Sequence, residues 1–285
     1  MDGHVWREVY ATIRSVERSV PRAGRRKEYS DVLVVGMYLW SVGPDRPLCW
    51  ACDRSHYNSV FRPRRLPSVS QFCKRLKTAR VEMILHRAFA RLAQTGVPTR
   101  TCFLDARPLP VGACSKDHDT RAGRVYGGFA RGYKLHAVVS ANGRTLVWSV
   151  TSLPVSEVKV AEKLLQVMKP RGLVVADANY DCASLYELTA SHGGQFVAIP
   201  KQGAGGGHRP QSEERCSALF LWRRAGKVLR QQRARIECYF GNQSMYGGGL
   251  GPLPAWVRTL ERVRRWVGAK LILHHARLAV RRGVA

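Results

Sequence analysis

The chain has 285 residues, room for one large domain or two small ones, and 45% of them are hydrophobic, which excludes a globally disordered polypeptide. Its 47 Lys and Arg against 20 Asp and Glu leave a formal net charge of +27. Such a chain repels itself unless a polyanion is near, and nucleic acid is the usual one; a membrane role would need a longer apolar anchor than Val32 to Val42, which is far short of the roughly 20 residues that span a bilayer.

Residues 1–97 read as a helical, DNA-binding region. Val9, Ile13, Val16 and Val20 recur near a helical period and predict a helix over 5–20. Asp31 to Ser41 is a strongly apolar helix with Ser30 as its candidate cap. A Pro-containing segment, 44–67, ends in the basic run Arg62-Pro63-Arg64-Arg65. Ser68 or Ser70 then caps a short basic helix, Gln71 to Lys77, and an amphipathic helix follows over 81–95. A short basic helix between helices suits a helix-turn-helix whose second helix enters a major groove, with Lys74 and Arg75 as candidate DNA contacts.

The pattern changes at Pro98, and residues 98–285 read as a second domain of α/β class with C-terminal helices. Thr101 to Leu104 is a short apolar strand ending at Asp105. Strands over 133–140 and 145–151 flank Ala141-Asn142-Gly143-Arg144, where Asn-Gly suits a type I′ hairpin turn. Residues 156–168 form a helix stopped by Lys169-Pro170-Arg171-Gly172. Leu173 to Ala176 has the continuous apolar character of a buried central strand and stops at Asp177. A helix over 180–191 and a strand over 195–199 complete a mixed sheet. Residues 200–218, with Gly203 to Gly207, read as a flexible connection, because the glycines lack the Gly-Lys-Ser/Thr ending of a phosphate loop. Helix resumes near Gln231, breaks at Gly247 to Gly251, and returns as basic helix over 255–281. The basic runs are spread over several elements, as a track for a long polyanion requires.

Eight cysteines, mostly singletons, read as reduced cytosolic thiols. Cys49 and Cys52, with His56 nearby, lack a second ligand pair at zinc spacing. Three acids stand out against the basic background. Asp105 and Asp177 each follow a strand, and if those strands are neighbours the two carboxylates lie close enough to need a proton or a cation between them. Magnesium, which favours one or two carboxylates plus waters and phosphate oxygens, suits such a pair. Arg230, Arg233 and Glu237 share one helical face, the alternative being a plain surface Arg233–Glu237 pair. Trp222 reads as a packed core residue.

Four segments together carry a resemblance. Phe103 to Val111 resembles the first-aspartate strand of bacterial insertion-sequence DDE transposases, Gly132-Tyr133-Lys134-Leu135-His136 their second strand, Leu173 to Asp181 their second-aspartate motif, and Arg233-Ala-Arg-Ile-Glu237 their Arg-x-x-x-Glu helix. The likeness runs over about residues 100–275. It departs at Arg230 and Ser244, where many relatives carry Tyr and Lys, and any inserted β subdomain before Glu237 must be small. The resemblance implies an RNase H-like fold. It implies two magnesium or manganese ions on Asp105, Asp177 and Glu237, with Asp105 shared between them. It implies cleavage of insertion-sequence ends followed by strand transfer into target DNA. Lys134, Arg230 and Arg233 become DNA contacts on this reading. The partners are terminal inverted repeats and target DNA, with no membrane. A homodimer would bring two ends together in the bacterial cytoplasm, at the nucleoid. A repurposed, inactive DNA-binding derivative and an RNase H-like nuclease are the competing readings.

Overall fold

Apolar helix faces and one mixed sheet divide the chain into two compact units. One comprises Met1–Gly96, Gln243–Val257 and Glu261–Ala285, and the other Val97–Asn242 and Arg258–Leu260. The structure is a computed structural model and describes residues 2–21, 27–94, 100–201, 212–245, 249–250 and 253–283.

In the helical unit, α1 (Gly3–Ser19) starts at Asp2, whose carboxylate accepts the N–H groups of His4 at 2.7 Å and Val5 at 3.1 Å. Ser30 caps α2 (Asp31–Val42), and this helix is buried on nearly every side, as its apolar run requires. A capping box between Ser68 and Gln71 opens α3 (Val69–Leu76), and α4 (Ala79–Ala93) follows. Asp31, a buried acid, is held by Arg75 and by Arg80, whose Nε lies 2.7 Å away. Arg80 also reaches Glu17 of α1 at 2.8 Å, so one network joins four elements. Buried ion pairs of this kind persist only when each charge is matched. Of the two expected DNA contacts on α3, Arg75 has its guanidinium on Asp31 and its side chain 15% exposed, whereas Lys74 lies exposed.

The terminal helix, α8 (Leu260–Gly283), belongs almost wholly to this helical unit and not to the sheet domain that the sequence reading gave it. Its Trp266, Val267, Leu271, Ile272 and Leu273 are buried, and its His275 lies against Phe89 of α4. Buried Lys270 meets Asp45 at 2.7 Å, and Trp266 Nε1 donates to the same carboxylate at 3.2 Å. The apolar residues that completed this core sat around most of the helix, so periodicity alone pointed to no partner.

The sheet unit has the strand order β2-β3-β1-β5-β6, with β4 pairing the same edge of β3 as β2. The strands are β1 (Thr101–Pro110), β2 (Arg121–Val125), β3 (Gly128–Ser140), β4 (Thr145–Ser152), β5 (Leu173–Ala176) and β6 (Gln195–Ala198). β4, β3 and β1 run antiparallel, whereas β5 and β6 run parallel to β1, the mixed RNase H-like arrangement expected. Helices α5 (Glu157–Met168) and α6 (Ala183–Ser191) connect β4 to β5 and β5 to β6. Apolar residues alternate onto the covered faces, with Phe103, Leu135, Val139, Val174 and Phe196 buried.

Four differences from the sequence reading have physical causes. β1 does not end at Asp105 but runs to Pro110, because beyond Leu104 it pairs with β3 alone and a proline tolerates an open edge. β2 went unread, since Arg-Ala-Gly-Arg-Val lacks an apolar alternation. Gly143 alone in its loop takes a positive φ, +79°, so the Asn-Gly turn is not type I′. Helix α7 (Glu213–Met245) starts well before Gln231, its apolar Phe220, Leu221 and Val228 being exposed among polar residues. Gly203 to Gly207 fall outside the described residues.

Candidate active site

Adjacent parallel strands bring the first two acids to one end of the sheet. Asp105 follows Leu104, whose neighbour on β5 is Ala176, the residue before Asp177. Asp177 then leaves the sheet and caps the turn 178–180, its Oδ1 accepting the Asn179 N–H at 2.9 Å. Both side chains are mostly covered, 17% and 23% exposed.

Burial dominates their electrostatics. It pushes the Asp105 carboxyl from its ordinary 3.8 up to about 7. The Ala106 N–H and the Arg233 guanidinium pull it down, while Asp177 and Glu157 push it further up. Burial raises Asp177 as well, against the pull of Asn179 and Arg233.

The third acid arrives by way of an arginine. Arg233 Nη2 on α7 lies 3.8 Å from Asp105 Oδ2 and 3.9 Å from Asp177 Oδ2, and Nη1 lies 3.2 Å from Glu237 Oε1. Alternation along β1 puts Asp105 and Arg107 on the face toward α7, where Arg107 Nη1 donates to the Phe240 carbonyl at 2.7 Å. Glu237 itself is 63% exposed. Among the described residues no three Asp, Glu, His or Cys side chains are gathered closely enough to hold a metal ion. The structure thus brings Asp105 and Asp177 together and leaves Glu237 on the far side of the guanidinium. The Arg233 guanidinium is shared by two mostly covered carboxylates, hard oxygen donors of a kind that fits magnesium or manganese.

The other expected contacts fall in different places. Arg233 faces the acids and not outward. Lys134 Nζ meets Glu157 Oε1 at 2.5 Å and is 12% exposed. Arg230 lies over the ring of half-buried Trp222, 5.4 Å from its centre, and is exposed. His136 is buried, bonded to Thr151 Oγ1 at 2.9 Å, and burial first and Lys134 second lower its imidazole to about 4, so it stays neutral. Asp181 is a structural acid: against the cost of burial, Arg215 at 2.9 Å and the Lys201 N–H hold it below its ordinary value.

Two residues of the site went unnoticed in the sequence. Glu157, first in α5, is near enough to raise both Asp105 and Asp177, but a lone acid opening a helix gives no further signal. Tyr180 lies within the Asp177 motif, and its buried hydroxyl has no hydrogen-bond partner among the described residues and feels Glu157, Asp105 and Asp177.

The raised Asp105 makes a pH prediction. Between 3.8 and about 7 the unfolded chain has released this proton and the folded chain keeps it, so metal-free stability falls as pH rises through that window. Thermal unfolding in EDTA is expected to show the wild type losing ground to Asp105→Asn across this range and not above it. Manganese at neutral pH should raise the wild-type Tm and leave the variant's unchanged. A difference independent of pH would contradict the burial of this carboxylate.

A family model described as Transposase DDE domain matches residues 98–249, a span that holds all three acids. No curated protein matches the chain in sequence. Among solved structures, a piggyBac transposase synaptic complex with hairpin DNA is similar at 12% identity and a TM-score of 0.39, covering 72% of this chain and 52% of that one. The chain therefore spans about half of that protein. With more than half of its length matched by the family model, this chain belongs to the family of transposases built on a DDE domain.

Proposed function

We propose that this transposase cuts DNA at the ends of an insertion sequence and joins the freed ends to target DNA, with Asp105, Asp177 and Glu237 as its acids. The observation that carries the reading is the convergence of two buried carboxylates from adjacent strands on one cation, with the third acid one helical turn from that cation. Two magnesium or manganese ions held by these residues would supply charge stabilisation to the attacking and leaving oxygens of the phosphodiester.

In hydrolysis, the bond between phosphorus and the 3′ oxygen breaks, water supplies the new oxygen on phosphorus, and a 3′-hydroxyl is released. In strand transfer that hydroxyl attacks a target phosphodiester, forming one ester as another breaks. The chain's own groups prepare this chemistry. The partial burial of Asp105 and Asp177 makes a positive charge between them favourable. The paired Lys134 and Glu157 border the same cluster, and the Tyr180 hydroxyl is free to donate to an oxygen brought there. Exposed Arg230 and Lys74, with the net charge of +27, would hold the DNA backbone of terminal repeats and target. Residues 1–97 would act in end binding, and two chains would join two ends.

The test incubates the protein with labelled DNA from the flanks of its own gene, carrying any inverted repeats. Magnesium-dependent nicks with 3′-hydroxyl ends, followed by joined products on a target plasmid, are expected. Hydrolysis without joining would reassign the protein as a nuclease, and binding without cleavage as a DNA-binding derivative.

A further inference from the structure

The ribbon formed by β2 and the start of β3 takes no part in the acid cluster. β1 pairs with β3 as far as Gly132, and β4 ends opposite Tyr133, so from Ala130 outward β3 has β2 as its ladder partner. The tip is Tyr126-Gly127-Gly128-Phe129, with Gly127 at a φ of +83° that suits glycine. Tyr126 and Phe129 are 105% and 76% exposed. Two large aromatic rings held in water at one tip lose hydrophobic stabilisation that a bound surface would restore.

The ribbon is also basic. Arg121, Arg124 and Arg131 line it, and no acid occurs from 121 to 131. The nearest acids upstream have partners of their own: buried Asp117 accepts from the Tyr133 hydroxyl at 2.7 Å and the Thr259 N–H at 3.0 Å, and the partly exposed Asp119 from the Leu260 N–H at 2.9 Å. Arg121 and Arg131 anchor the base of the ribbon on neutral backbone carbonyls of residues 117–120, while Arg124 is exposed. Along β3 the tip lies about 25 Å beyond Ala137, the partner of Asp105, which is about seven base pairs of duplex.

We propose that this ribbon is a DNA-binding arm that enters a groove beside the cleavage point and stacks Tyr126 and Phe129 on bases it unstacks. A two-stranded ribbon fits the major groove, and aromatic or apolar wedges unstack base steps. The identity of the ligand as DNA rests on the transposase reading above. A second copy of this chain is the poorer occupant, since it would bring another +27 against the same arginines.

The test uses the full chain in EDTA with a linear duplex carrying 5-iodouracil in place of some thymines. Ultraviolet light is expected to cross-link the DNA to the peptide holding Tyr126 and Phe129, and permanganate to oxidise remaining thymines that the wild type unstacks. The double variant Tyr126→Ala, Phe129→Ala should lose both signals and bind about tenfold more weakly, in line with the loss of base stacking. Its circular dichroism should be unchanged, because both rings lie in solvent. Arg124→Ala should lower the salt dependence of binding by about one counterion. A double variant with wild-type affinity and permanganate pattern overturns the proposal. So does a double variant whose mass falls in light scattering while its DNA binding is intact, which would assign the tip to a second copy. Neither readout needs cleavage, so a protein that shows both yet never cuts DNA would refute the strand-transfer reading and leave this one standing.

Discussion

Asp105→Asn is expected to lower the rate of magnesium-dependent DNA nicking by about a thousandfold or more, while gel-shift affinity for the same DNA changes by no more than about twofold. The size follows from the role proposed for the carboxylate. Charge stabilisation by a bound divalent ion is worth several kcal/mol in the transition state, and each 1.4 kcal/mol is about tenfold in rate. Binding is spared because it draws on a basic surface and not on this mostly covered acid. The fold is spared too. Asn keeps the shape and a carbonyl acceptor for the Ala106 N–H, and it removes a charge that burial already disfavours. The variant should therefore unfold at the wild-type Tm or above it in EDTA. Wild-type nicking by a folded Asp105→Asn protein would remove this residue from the mechanism.

Glu237→Gln is expected to reduce nicking by about two orders of magnitude or more with a change in stability within about 0.5 kcal/mol. Here structure and proposal pull apart, which makes the variant decisive. Glu237 is 63% exposed and meets one partner, Arg233, at 3.2 Å in the less favourable orientation of an i,i+4 pair. Were that pair its whole purpose, neutralising it would leave nicking intact. If Glu237 joins Asp105 and Asp177 around divalent ions, the loss appears in the rate and in the manganese concentration needed for half-maximal activity. Initial rates across a manganese titration, beside Tm in EDTA, separate the two cases.

Much of this fold was legible where local chemistry and burial agree. Ser30, Ser68 and the Lys169-Pro170 stop marked helix ends within a few residues, because capping and proline act locally. Leu173 to Ala176 declared itself a central strand because both of its faces are covered. What stayed hidden depended on distant partners. No pattern in residues 31 to 80 foretells that Arg75 will pair with Asp31. Nothing local reveals that Lys134 meets Glu157, or that the Tyr180 hydroxyl is buried without a partner among the described residues. The acids were legible as a set of motifs, yet the placement of Arg233 among them was not, since an arginine one turn before a glutamate reads equally well as a surface pair.

The packing of α8 with the N-terminal helices orders events on the ribosome. The residues that cover Phe89 and pair with Asp45, His275 and Lys270, are translated only after these first helices and every strand of the sheet. The intervening sheet has its strands contiguous between residues 101 and 198 and can finish folding while the earlier helices still wait for their final partner. A nascent chain stalled before α8 would thus expose an incomplete basic helical core after its sheet has already formed, so the helical unit is completed only when synthesis has passed Lys270 and His275.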